Sequence, residues 1–428
     1  MKKIKKLTTL IVSIVMLITT SVTTSTTTID LNDGDIYEQT VATTTLNKVV
    51  SQNGDWEYAD VSGVGCMLTK YQGNDKSVTI PEKIDEKDVV GVYKYGFQKS
   101  DIEHLTFSKT LQYFDDYAVF NCKKLKDITV PEENTKFTSK DGVLFNAEGS
   151  VLIQYPIGNE RTTYEVPDDV WHIYAGAFAY ATNLESVKMP QAMFSLANWA
   201  FAYCDNLKNF TVSAGITKIS EKAFVGCKSI ETLQLPTELT VIDKGAFLDC
   251  KKLKNLVVPA NVTLIDQSAF AGCTDLSNVE FAEDNKLETI AEMAFTDCRS
   301  LLKVRLQGNA SIGEFAFGYF AERKSSDGSD ETYTVLSGFE LEGNPGSLLQ
   351  TYAKTEGIPY TENGAAIIQV TAAAPADPAV TTDVNDGVKA PMKNSTKILL
   401  VIAGVLLLIG IVSLVAYFVI RKRERTDA

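Results

Sequence analysis

Histidine is almost missing from this chain: His104 and His172 are the only two in 428 residues. A histidine-based triad or a histidine metal cluster therefore has little material to draw on. The glycine motifs G-x-x-x-x-G-K-[ST], G-x-G-x-x-G and G-x-S-x-G are absent, as is H-E-x-x-H. Acidic pairs such as Asp115-Asp116, Glu132-Glu133 and Asp168-Asp169 are sequence neighbours whose side chains point apart. They read as solvated loop charges, not as an acid–base pair held across a substrate. No enzyme, metal or cofactor is expected. Positive charge is also in deficit, with a formal net charge of −13. The lysine-rich start and the basic tail leave the middle more acidic still, and such a surface repels nucleic acid.

What is present is one phrase, repeated. Aligned on Ala-Phe, Phe178, Phe201, Phe224, Phe247, Phe270, Phe295 and Phe317 are spaced by 23, 23, 23, 23, 25 and 22 residues. Upstream, Phe97 and Phe120 are also 23 apart, each followed by a unit one residue shorter. From Phe120 to Phe178 the gap is 58, one period plus 35 residues. In "LKNLVVPAN", Leu253 to Asn261, the apolar positions follow L-x-x-L-x-L-x-x-N. Leu256 and Val258 face inward on a short strand that Pro259 ends, and Leu264 and Ile265 re-enter the core. "DQSAFAGC" then reverses the chain, with one helical turn expected around Ala269-Phe270. No single unit can bury its own Phe and Leu side chains, but stacked units can, at about 4.8 Å per rung.

Six of the seven cysteines belong to the repeat: Cys122, Cys204, Cys227, Cys250, Cys273 and Cys298. Five follow the Phe by three residues and Cys122 by two, which reads as a one-residue deletion. Disulfides, metal ligation and simple packing compete as explanations. Ala181 stands in the same place in another unit. Alanine can replace a packing cysteine but neither a ligand nor a bridge partner, so the cysteines are read as buried packing groups.

The phrase "L..L.LP…L..I…AF..C..L" resembles the BspA-type leucine-rich repeats of bacterial surface proteins, over about Asn53 to Asn363. "GDWEYADVSGVGCMLTKYQGNDKSVTIPEKIDEKDVVGVYKYGF" resembles the family's opening strands. "TKFTSKDGVLFNAEGSVLIQYPIGNERTTYEVPDDV" resembles its inserted hairpin, with Val143–Phe145 and Val151–Tyr155 as strands. "FELEGNPGSLLQTYAKTEGIPYTE" resembles its closing strand, helix and strand. The expected fold is a leucine-rich-repeat solenoid of about nine 23-residue repeats, capped at both ends. The resemblance implies adhesion to a host or neighbouring-cell protein, or a glycan. A structural envelope protein that binds its own kind is the alternative.

The ends suggest an address. Residues 1–28 read as a signal peptide whose cleavage is left open, 29–52 as a Thr-rich linker, and 53–363 as the repeat domain. Within that domain the caps are expected at 53–90 and about 333–363, and the hairpin at about 132–168. Residues 364–397 form an Ala/Pro/Thr stalk. Ile398 to Ile420 carries no charge over 23 residues and reads as a transmembrane helix before the basic tail 421–428. The expected location is a single-pass plasma-membrane protein with the repeats outside and the C-terminus in the cytoplasm.

Two outward strand columns remain as a candidate binding face. The first runs His104, Asp127, Ser186, Asn209, Thr232, Asn255, Asn278, Lys303. The second runs Thr106, Thr129, Lys188, Thr211, Gln234, Val257, Glu280, Arg305. Inward columns repeat one chemistry while these vary, as a recognition face would. They contain no Trp or Tyr, the usual interface anchors.

Overall fold

A computed structural model describes residues 47–363, apart from 62, 192 and 324–330. Over this range the chain is a β-solenoid of about 12 turns. One face is built of short parallel strands, from Ser77–Thr79 through Asn255–Val258 to Tyr360–Glu362. Two-residue return strands such as Val241–Ile242 and Leu264–Ile265 pair in parallel on a second face. The period-2 reading holds at the residue level: Leu256 and Val258 are fully buried, and Val257 between them is 59% exposed.

Twelve turns replace the expected nine because an Ala-Phe count misses turns that lack the phrase. The two closing rungs, Glu340–Gly343 and Tyr360–Glu362, carry none. The turn that contains the insertion carries Tyr155 instead, whose ring stacks on Phe178 at 5.2 Å. From there an unbroken column of rings runs through Phe178, Phe201, Phe224, Phe247, Phe270, Phe295 and Phe317. Successive centroids lie 4.7 to 5.3 Å apart, with planes nearly parallel. The spacing is that of the strands, so each ring covers the next and no ring meets water.

Phe120 does not belong to that column. Phe97 N donates to Ala118 O at 2.7 Å, as Phe178 N donates to Ala200 O at 2.8 Å. This register makes Val119 the equivalent of Phe201 in its own turn, and Val119 is 3% exposed. Phe120 lies one residue on, half-buried against Tyr95, Tyr117 and Tyr180. The apparent deletion before Cys122 vanishes with that shift. The sequence Ala-Val-Phe offers two apolar residues for one pocket, and the backbone register puts the valine inside.

The Ala-Phe segment is not helical. Ser268 and Gly272 flank Phe270 with φ of 54° and 73°, and the same left-handed pair recurs in other turns. Left-handed residues cannot continue an α-helix, so two tight turns reverse the chain. The insertion forms an antiparallel sheet of Phe137–Lys140, Val143–Asn146 and Val151–Gln154, whose last strand continues the return face by pairing with His172–Ile173. A second antiparallel hairpin joins Tyr319–Arg323 to Glu331–Val335. The final turn holds the helix Leu348–Glu356, N-capped by Ser347 and ended at left-handed Gly357.

The expected transmembrane helix and single-pass plasma-membrane location do not stand. Among the described residues no helix is long and apolar enough to cross a membrane, and the segment 398–420 lies outside them. The segments expected to be a signal peptide, a stalk and a basic tail likewise fall outside the described residues.

Candidate functional site

The two outward columns line up on the parallel-strand face, and their cross-turn register is direct. His104 pairs with Asp127, Asn209 with Thr232, Asn255 with Asn278, and Glu280 with Arg305. His104, Thr106, Asp127 and Asn278 are half-buried, and the other twelve predicted residues are exposed.

Neighbouring turns tie these side chains into ladders. His104 Nδ1 lies 2.6 Å from Asp127 Oδ2. A carboxylate only accepts, so Nδ1 carries the proton and Nε2 is left for another partner. Lys188 bonds Glu165. Thr232 Oγ1 donates to Asn209 Oδ1 at 2.6 Å, and Thr211 Oγ1 to Gln234 Oε1 at 3.1 Å. Lys303 reaches Glu340 and Glu342 at 2.7 and 3.0 Å, and Arg305 reaches Glu342 at 3.4 Å. The middle of the face, from Ser186 to Asn255, is mainly uncharged amide and hydroxyl, with its ionic groups toward the two ends. Exposed ion pairs of this kind contribute at most about 1 kcal/mol each, so they set pattern more than stability.

The cysteines lie elsewhere. All seven are buried with free thiols. In each repeat the thiol donates to the carbonyl of the phenylalanine one turn back: Cys122 to Phe97, Cys204 to Phe178, Cys227 to Phe201, Cys250 to Phe224, Cys273 to Phe247 and Cys298 to Phe270, at 2.9 to 3.3 Å. Burial holds the Cys204, Cys250 and Cys273 thiols far above their ordinary pKa, and raises Cys122 to about 11. These groups stay protonated and unreactive. Among the described residues no cluster of three or more His, Cys, Asp or Glu side chains could hold a metal ion.

The sequence did not reveal a cleft where the insertion meets the strand face. Its volume is about 730 Å³, and it is bounded by His104, Lys126 and Asp127 on one side and by Asn159, Glu160 and Arg161 on the other. The hairpin turn Asp141-Gly142 wedges between the rungs Asp127–Thr129 and Thr163–Glu165. Gly142 O accepts from Ile128 N at 2.9 Å, and Arg161 Nη2 donates to Asp141 O at 2.9 Å. A side chain at Gly142 would meet the Asp127 Cβ at 2.8 Å, so glycine is what lets the wedge fit. The signal for the rung after it was in the sequence: "YEVP", Tyr164 to Pro167, repeats the strand-ending pattern of "LQLP", Leu233 to Pro236.

The BspA type Leucine rich repeat region, in six copies, matches residues 72–145, 171–302 and 246–331. No curated protein matches the chain. Among solved structures, a leucine-rich repeat protein from Eubacterium ventriosum ATCC 27560 is 20% identical with a TM-score of 0.47. That match covers 56% of this chain and 63% of the Eubacterium chain, so it spans less than two thirds of that protein. A leucine rich cell surface protein from Faecalibacterium prausnitzii A2-165 is 20% identical with a TM-score of 0.42, covering 54% of this chain and 93% of that one. The pneumococcal vaccine antigen PcpA is 16% identical with a TM-score of 0.33, covering 74% and 99%. The family match extends over more than half of the sequence, and this chain belongs to the BspA-type leucine-rich-repeat proteins.

Proposed function

We propose that this chain is a surface, adhesin-like protein whose strand face binds another protein. The observation that carries the reading is the contrast between columns. The inward positions stay apolar from turn to turn, with Phe, Leu and Cys recurring in most of them, while the register-aligned outward positions change. A scaffold that fixes spacing and frees chemistry suits recognition of one partner. Membership of a family of repeat scaffolds for protein interaction supports the same reading.

The test is a binding screen of the full chain against extracellular-matrix and cell-surface proteins, repeated with Lys188→Ala, Glu280→Ala and Arg305→Ala. A partner whose affinity falls at least tenfold in the combined variant supports the face. Undiminished binding places the contact elsewhere. Concentration-dependent self-assembly without any heterologous partner makes the chain a structural envelope protein instead.

A further inference from the structure

In a regular turn of this solenoid, each strand spends its backward-pointing backbone groups on the turn before. Ser186 N donates to Thr162 O at 3.2 Å, for example, and Val166 N donates to Lys188 O at 3.0 Å. By the register of Thr163 with Ser186 and Glu165 with Lys188, the N–H and C=O groups of Thr163 and Glu165 face the preceding rung, Asp127–Thr129. That rung is not paired with them. The Asp141-Gly142 wedge stands between, and among the described residues the main-chain groups of Thr163 and Glu165 have no protein partner. A second seam, between Thr232–Gln234 and Asn255–Val258, is narrower: Lys254 N still reaches Glu231 O at 3.5 Å.

Thr163 and Glu165 are exposed. Together they offer two donors and two acceptors in strand geometry, starting two residues beyond Arg161, which lines the cleft. An edge of this kind is a template for an added strand. The surrounding charges say which strand. The side chains of Asp141 and Glu160 take part in no ion pair among the described residues, and the chain as a whole carries −13. Arg161 uses one guanidinium N–H on Asp141 O, which leaves further donors for a main-chain carbonyl.

We infer that the cleft is a strand-addition slot: an extended, basic segment of a partner protein pairs with the open edge at Thr163 and Glu165 and places a Lys or Arg against Asp141 and Glu160. This deepens the proposed function by naming what the strand face takes hold of. Its test is separate from the alanine scan, in which only Lys188, the side-chain partner of Glu165, adjoins the slot, and its replacement leaves the edge backbone in place.

The experiment selects random dodecapeptides displayed on phage against the full chain, then measures the synthetic winners against variants and by amide hydrogen exchange. The selected peptides are expected to be basic and rich in β-branched residues. Bound peptide should slow exchange at Thr163 and Glu165 at least tenfold. Asp141→Lys with Glu160→Lys should weaken binding about tenfold or more, and Thr163→Pro, which removes one edge donor, should do the same. If the proline variant does not fold, the exchange measurement decides. Protection at another edge, such as Lys48–Val50, overturns the slot. So do equal affinity for the lysine variant or a library that yields no binder. Loss in the alanine scan with no peptide in the slot would leave the strand face standing and remove this inference alone.

Discussion

Tyr155 stacks on Phe178 with ring centroids 5.2 Å apart and planes 23° from parallel, taking the place a phenylalanine fills in the turns that follow. The insertion therefore enlarges a turn without breaking the interior column. Its hydroxyl lies 3.5 Å from Asn159 Oδ1, at the limit of a hydrogen bond. Tyr155→Phe is accordingly expected to change stability by less than about 1 kcal/mol, whereas Tyr155→Ala and Phe270→Ala should each cost roughly 3–5 kcal/mol. Urea unfolding followed by circular dichroism measures both.

Phe120 should behave differently from its sequence-aligned neighbour Phe97. Phe97 is 1% exposed, and Phe120 is a half-buried member of a surface aromatic group. Phe120→Ala is expected to cost about 1–2 kcal/mol, well under the cost of Phe97→Ala. Equal losses would restore Phe120 to the core and undo the register described above.

The thiol ladder predicts chemical silence. A thiol-reactive disulfide reagent should label none of Cys204, Cys250, Cys273 or Cys298 in the native chain, and all of them in urea, because burial keeps the thiolate out of reach. Cys250→Ala should be tolerated at about 1–2 kcal/mol, since it removes a small apolar volume and one weak bond to Phe224 O. Ala181 already shows that the position accepts alanine.

Two carboxyls should pull the pH dependence of stability in opposite directions. Burial, then the hydrogen bond and charge of Asp116, raise Asp115 to about 6. The folded state thus holds this proton more tightly than an ordinary carboxyl near about 3.9 does. The resulting stabilisation is full below that value and is lost as pH rises through about 6. Hydrogen bonds from Lys126 and Lys76 lower Glu103 to about 2, so its contribution is present above the ordinary glutamate range and is lost as pH falls through about 2. Asp115→Asn should flatten the decline between pH 4 and pH 6 and raise the urea midpoint at neutral pH, leaving the acid limb in place.

Gly142→Ala tests the wedge. The position has φ of 80°, and an added Cβ would meet Asp127 Cβ at 2.8 Å, so a loss of about 1–3 kcal/mol is expected. The His104 ring resonances should shift with it, because Asp127 is bonded to that ring.

Much of the interior could be read from the residues. The 23-residue spacing gave the turn length, and Leu256, Val257 and Val258 declared their own faces through alternation alone. Three things could not be read that way. An Ala-Phe alignment cannot see a turn whose stacking residue is Tyr155 or Val119, because what the pocket requires is shape and register and not the letter. A helix-like stretch such as "SAFAG" conceals the left-handed φ at Ser268, which depends on closing the turn. The cleft exists only because Asp141-Gly142 comes between two rungs 36 residues apart, a tertiary fact with no local sequence pattern. The outward columns lie along the parallel strands, and Arg161, Asp141 and the Thr163–Glu165 edge stand outside them.

The most direct test of the account is the affinity of an identified partner for three forms of the chain: wild type, the Lys188→Ala/Glu280→Ala/Arg305→Ala variant, and a control altered on the return face at Thr217 and Val241. The account predicts at least a tenfold loss for the strand-face variant and no change for the control. Equal affinity for all three forms, or a loss confined to the control, would contradict it.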